Sequence, residues 1–125
     1  PGPTRSFATT IVDQTEHLLD LQPVLGDAQR EEVLSEVNAE AEKIRTLNIG
    51  DDEVVRYGGR EYHRSLQEYD HEQTAAQLNI PQLLLQGRND WQVTIEDDLP
   101  SWRDAIGNRD DVTITVYDDL NHLFQ

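Results

Sequence analysis

Three leucines in a row, Leu83-Leu84-Leu85, follow Ile80-Pro81-Gln82 and lead into Gln86-Gly87. A strand with one face in water alternates apolar and polar residues. A run that is apolar at every position fits a strand covered on both faces, as in a parallel sheet between helices. Pro81 suits the first residue of such a strand, where no ladder donor is required. A loop, Gly87-Arg88-Asn89-Asp90, comes next, and Thr94 to Ile106 then has helical character. Val112-Thr113-Ile114-Thr115-Val116-Tyr117 reads as a second strand. Parallel neighbours need a crossover connection, and Thr94 to Ile106 supplies one. Two such strands end at the same edge of the sheet, about 4.8 Å apart. The loops that follow them carry Asp90 and His122, so these two side chains are expected to meet in space. An imidazole held by a carboxylate is the general-base half of a nucleophilic triad.

Details of this stretch support the assignment. Pro100 is compatible with the crossover helix only in its first turn, where its missing N–H costs nothing, which places the helix start near Asp97. Trp102 and Ile106 are then four apart and face the sheet. The second strand alternates, with Val112, Ile114 and Val116 opposite Thr113, Thr115 and Tyr117, as expected nearer a sheet edge.

The preceding residues are helical in pattern. Phe7, Ile11, Leu18 and Leu21 recur at helical spacing between Ser6 and Gln22, with Ser6 or Thr4 as the cap. Pro23 to Gly26 breaks the chain. Asp27 can cap a second helix to about Leu47, with an apolar stripe of Val33, Leu34, Val37, Ala41, Ile44 and Leu47. Its other face carries Glu31, Glu32, Glu36, Glu40 and Glu42. Glu61 to Tyr69 forms a short helix, and Asp70 with Gln73 caps another from His71 to Leu78. Pro1 to Arg5 reads as a loop with no chemistry of its own. The expected fold class is therefore α/β, with a helical region over 1–69 and a strand-helix-strand portion over 70–125.

Charge narrows the function classes. Acids outnumber bases 25 to 10, the net charge is −15, and Lys43 is the one lysine among 125 residues. Nucleic acid and anionic membrane are poor partners for such a surface, since both require a positive footprint. Acids spread along the whole chain resemble the surfaces of proteins from high-salt organisms, where salt screens self-repulsion. The absence of cysteine excludes disulfides and thiolate catalysis. There is no signal-peptide pattern and no membrane-spanning apolar run, so a cytoplasmic location is expected. The chain begins Pro1-Gly2-Pro3 without an initiating methionine, which suggests processing or a fragment of a longer protein.

Taken alone, an Asp and a His on loops are weak evidence. Without further context Asp90 reads more simply as a solvated charge, and His122 as a capping or core histidine before Leu123-Phe124. Other chemistries have less support. His17, His63, His71 and His122 lack zinc-ligand spacing. Asp51-Asp52 and Asp118-Asp119 lack a calcium-loop pattern, and no glycine-rich phosphate loop occurs. Nothing positions a particular carboxylate pair for glycoside hydrolysis. Neither a cofactor nor a metal is expected.

The run Pro81-Gln82-Leu83-Leu84-Leu85-Gln86-Gly87-Arg88-Asn89-Asp90-Trp91-Gln92-Val93 resembles the strand and acid loop of the α/β-hydrolase fold. Leu120-Asn121-His122-Leu123-Phe124 resembles its histidine loop. The resemblance covers Ile80 to Phe124 and is looser elsewhere. It favours capped serine peptidases and esterases. It implies Asp90 as triad acid, His122 as general base, Val93 near the site, and Trp102 as an aromatic on the following helix. It also implies that the helices between Ser6 and Leu47 are a cap inserted over the site, and that Gly2-Pro3-x-Arg5 is the segment leading into it. The family's nucleophile lies in G-x-S-x-G and precedes the acid and histidine. Ser6, Ser35, Ser65 and Ser101 have no such setting. The implied function is the C-terminal part of a serine hydrolase acting on a small ester or peptide, inactive by itself. The competing expectation is a non-catalytic acidic interaction or structural module. A two-stranded remnant of a larger sheet would expose an edge and apolar helix faces, which predicts self-association.

Overall fold

The computed structural model describes all residues from Pro1 to Gln125. The order of elements is α1 (Phe7–Asp20), α2 (Asp27–Thr46), α3 (Arg60–Glu68), α4 (His71–Gln77), β1 (Gln82–Gly87), α5 (Leu99–Ile106) and β2 (Val112–Tyr117). The chain divides into two compact units, one of Ser6–Tyr69 and one of Pro1–Arg5 with Asp70–Gln125. The helical unit is thus an insertion in the sequence of the other. No helix is long and apolar enough to cross a membrane.

In the helical unit, the Ser6 hydroxyl accepts a hydrogen bond from Thr9 N at 3.1 Å and opens α1. The second helix is capped one residue earlier than expected. Gly26 O accepts from Gln29 N and Arg30 N, and Gly26 N donates to Gln29 Oε1 at 3.2 Å. Asp27 therefore sits inside the first turn, where its carboxylate faces the positive end of the helix dipole. The apolar stripes of α1 and α2 bury Ala8, Ile11, Val37, Ala41 and Ile44 together with Ile49 and Val55. His63 on α3 is fully buried, with Nε2 2.9 Å from Val55 O and its ring stacked on Phe7.

The second unit is mixed helix and strand, an α/β arrangement around a two-stranded parallel sheet. Gln82 pairs with Val112 and Gly87 with Tyr117, so both strands run the same way and finish together. Asp70 caps α4 by accepting from Gln73 N at 2.7 Å. Ala75, Leu84, Leu99, Trp102 and Ile106 form the core, with Val112, Ile114 and Val116 packed against it. The helices α4 and α5 thus cover the sheet face that carries Leu84.

Two further local expectations are corrected. Leu83 is 63% exposed, so the leucine run is not covered on both faces within this unit. Thr113, its pairing partner on β2, is exposed as well. The crossover helix begins at Leu99 rather than Asp97, with Pro100 in its first turn. Asp98 directs its carboxylate away from its own helix, toward Thr94 and the N-terminal segment.

Candidate active site

Asp90 and His122 come together just beyond the carboxyl ends of β1 and β2. The backbone stitches their loops to each other. Arg88 N donates to Tyr117 O at 2.8 Å, and Asn89 N donates to Leu120 O at 3.0 Å. Gly87 makes this approach possible, because a Cβ there would lie 2.3 Å from Leu120 O and 2.7 Å from Asn121 O. Arg88 and Asp118 add an exposed ion pair at 2.7 Å. The histidine loop closes on itself, with Asn121 Oδ1 accepting from Leu123 N at 2.9 Å and Gln125 N at 3.2 Å.

His122 Nδ1 lies 2.9 Å from Asp90 Oδ2. The other carboxylate oxygen accepts from Gln92 N at 2.9 Å and Val93 N at 3.0 Å. Two backbone amides already donate to this carboxylate, so the contact to His122 is satisfied by the tautomer that carries its hydrogen on Nδ1. In a neutral ring that tautomer presents Nε2 as the acceptor. Asp90 is buried, its side chain 7% exposed, while the His122 side chain is 39% exposed. A buried acid behind a reachable imidazole is the polarity a general base requires.

Three residues support the pair without being singled out as site residues by the sequence alone. Gln86 is buried within β1; its Nε2 donates to Val93 O at 2.8 Å and to Gly87 O at 3.0 Å. Its Oε1 has no hydrogen-bond partner. The signal for it was a polar residue in the otherwise apolar run from Leu83 to Gly87. The other two are Arg5 and Asp98. The Asp98 side chain is fully buried. Oδ1 accepts from Thr4 N at 2.8 Å, Arg5 N at 3.2 Å and Arg5 Nε at 3.2 Å. Oδ2 accepts from Thr94 N at 2.9 Å and Arg5 Nη2 at 2.8 Å. Burial pushes the Asp98 carboxyl up, but the Arg5 guanidinium and the amides of Thr94, Arg5 and Thr4 together hold it below the usual range. Trp102 Nε1 donates to Gly2 O at 2.8 Å. These bonds tie Pro1–Arg5, a loop as expected, to this unit.

No protein-family model matches the chain, and no solved structure matches it. The chain is 37% identical over 122 residues to a curated protein, the esterase EstD of Thermotoga maritima. That similarity spans 97% of this chain and 27% of EstD. The chain thus corresponds to about a quarter of the length of this relative.

Proposed function

We propose that these residues are the acid and histidine portion of an ester-hydrolysing serine enzyme of the α/β-hydrolase fold. The likeness to an esterase supports the reaction class. The observation that carries the reading is the 2.9 Å Nδ1 to Oδ2 contact between His122 and Asp90 at the shared end of two parallel strands. Ligands of open α/β sheets bind beyond that end.

In this reading a serine outside these residues attacks the ester carbonyl. His122 Nε2 takes the serine proton as the oxygen–carbon bond forms. Asp90 orients the ring and stabilises the imidazolium. The tetrahedral intermediate collapses, the carbon–oxygen bond to the leaving group breaks, and the alkoxide takes the proton from Nε2. Water then repeats the sequence on the acyl-enzyme and releases the acid and the free serine. The oxyanion donors come from earlier segments, as the nucleophile does. This chain alone is inactive, because the attacking group and those donors are missing from it.

The helical unit, Ser6–Tyr69, is read as a cap, since the chain leaves the α/β unit after Arg5 and re-enters it at Asp70. A small ester is the favoured substrate and a peptide the second. Neither a cofactor nor a metal enters the chemistry. The parallel pair leaves one outer edge on each strand, and self-association through that edge belongs to the same reading. The surface acids are read as an adaptation to salt, not as a recognition site for cations.

A fluorophosphonate probe, which forms a covalent bond to activated serines, tests the reading. The longer protein containing these residues is expected to be labelled, and this chain by itself is not. Absence of labelling in the longer protein would favour the acidic interaction module instead.

A further inference from the structure

Two consecutive peptide units carry the loop that grips Asp90, and each is held at both ends. The unit joining Gln92 to Val93 accepts from Arg5 Nη2 at Gln92 O, 3.2 Å, and donates from Val93 N to Asp90 Oδ1, 3.0 Å. The unit joining Val93 to Thr94 accepts from Gln86 Nε2 at Val93 O, 2.8 Å, and donates from Thr94 N to Asp98 Oδ2, 2.9 Å. A trans peptide is a rigid plane with its C=O and N–H pointing opposite ways. A donor fixing one end therefore aims the other. Arg5 grips Gln92 O from one side, and Val93 N–H is aimed at Asp90 on the other.

We infer that Arg5 and Asp98 are positioning residues for the Asp90–His122 pair, acting through the Gln92–Val93 and Val93–Thr94 peptides. Arg5 spans the gap because its guanidinium has several donors in a fixed fork. Nε and Nη2 hold the two oxygens of Asp98, and Nη2 also reaches Gln92 O. Asp98 in turn anchors Arg5 and takes Thr94 N. The segment just before the helical insertion thereby sets the orientation of the acid some 85 residues later. A lysine carries the charge but not the fork, so it keeps the ion pair and releases the Gln92 carbonyl.

This inference rests on the catalytic reading of Asp90 and His122, and the test separates the two. The readout is the Nδ1–H resonance of the His122 ring in this chain, observed by nitrogen-edited NMR, with Asp90→Ala as the reference for its loss. Folding is followed by circular dichroism. In the unsubstituted chain a downfield Nδ1–H line protected from exchange is expected. Asp90→Ala is expected to abolish it. Arg5→Met and Asp98→Asn are expected to broaden or remove it while the helical content stays. Arg5→Lys, the variant least prone to misfold, is expected to give a weakened line. In the longer enzyme Arg5→Lys should lower kcat by about tenfold to a hundredfold with KM nearly unchanged, the pattern of a displaced catalytic group. If the line is missing from the unsubstituted chain, or survives Asp90→Ala, the pairing itself fails. If Asp90→Ala removes it while folded Arg5→Met and Arg5→Lys keep it in full, the positioning role is overturned and the pair stands.

Discussion

Gly87 and Leu120 approach so closely that a Cβ on residue 87 would stand 2.3 Å from the Leu120 carbonyl oxygen. The loop bearing Asp90 and the loop bearing His122 meet at this contact, and backbone on both sides leaves no flexible side chain to yield. Gly87→Ala is therefore expected to push the two loops apart. The cost should be about 1–3 kcal/mol, the usual range for forced overpacking, read as a lower urea midpoint. Gly2→Ala, which places its Cβ with nothing within 4 Å, is expected to leave the midpoint unchanged.

Asp98 gives the α/β unit a defined acid sensitivity. Its carboxyl is held below its ordinary range in the folded state. A group whose folded pKa is depressed stabilises the fold above its unfolded value, about 3.9 for an aspartate, and loses that contribution as pH falls through the folded value. Removing one partner of a buried ion pair costs about 3–5 kcal/mol. Asp98→Asn should show a loss of that order at neutral pH and a shrinking difference from the unsubstituted chain below about pH 4. The 2 tryptophans, Trp91 and Trp102, both lie in this unit, so their fluorescence follows its unfolding separately from that of the helical unit. A difference that stays constant down to low pH would contradict the assignment.

Screening should stabilise a chain with net charge −15. Repulsion among exposed acids is largely removed once the Debye length falls to a few ångströms. The thermal midpoint is expected to rise between about 0.1 M and about 2 M KCl. A flat or falling midpoint would contradict the salt-adapted reading of the surface.

Self-association is the expected consequence of an unpaired strand edge, which is a template for another; Leu83, Ile80 and Leu123 are exposed as well. Light scattering on concentrated protein is expected to give a mass above the 14.3 kDa of one chain. A clean monomer at high concentration would count against it.

Much of the α/β unit could be read from residue order because its decisive relations are periodic or topological. The apolar run at Leu83–Leu85 and the alternating Val112–Tyr117 marked two strands, and a crossover between them sent both loops to one edge. That is why Asp90 and His122 could be paired before any geometry was known. The exposure of Leu83 was not legible, because a run of leucines states only what a strand can bury and not which neighbours cover it. Arg5 and Asp98 were illegible for a different reason. One acid among 25 carries no signature of burial, and a link between residues 5 and 98 has no local pattern. Gln86 did leave a trace, as the polar interruption of an apolar strand.

In the proposed hydrolase, His122 acts as a base oriented by Asp90. The most direct test of that role is ester hydrolysis by the longer protein carrying His122→Ala. Its kcat/KM is expected to fall by roughly 10⁴-fold or more, as when one member of a catalytic triad is removed, with fluorophosphonate labelling lost in parallel. A fall of less than about tenfold in a folded variant, small beside the effect of a missing general base, would contradict it.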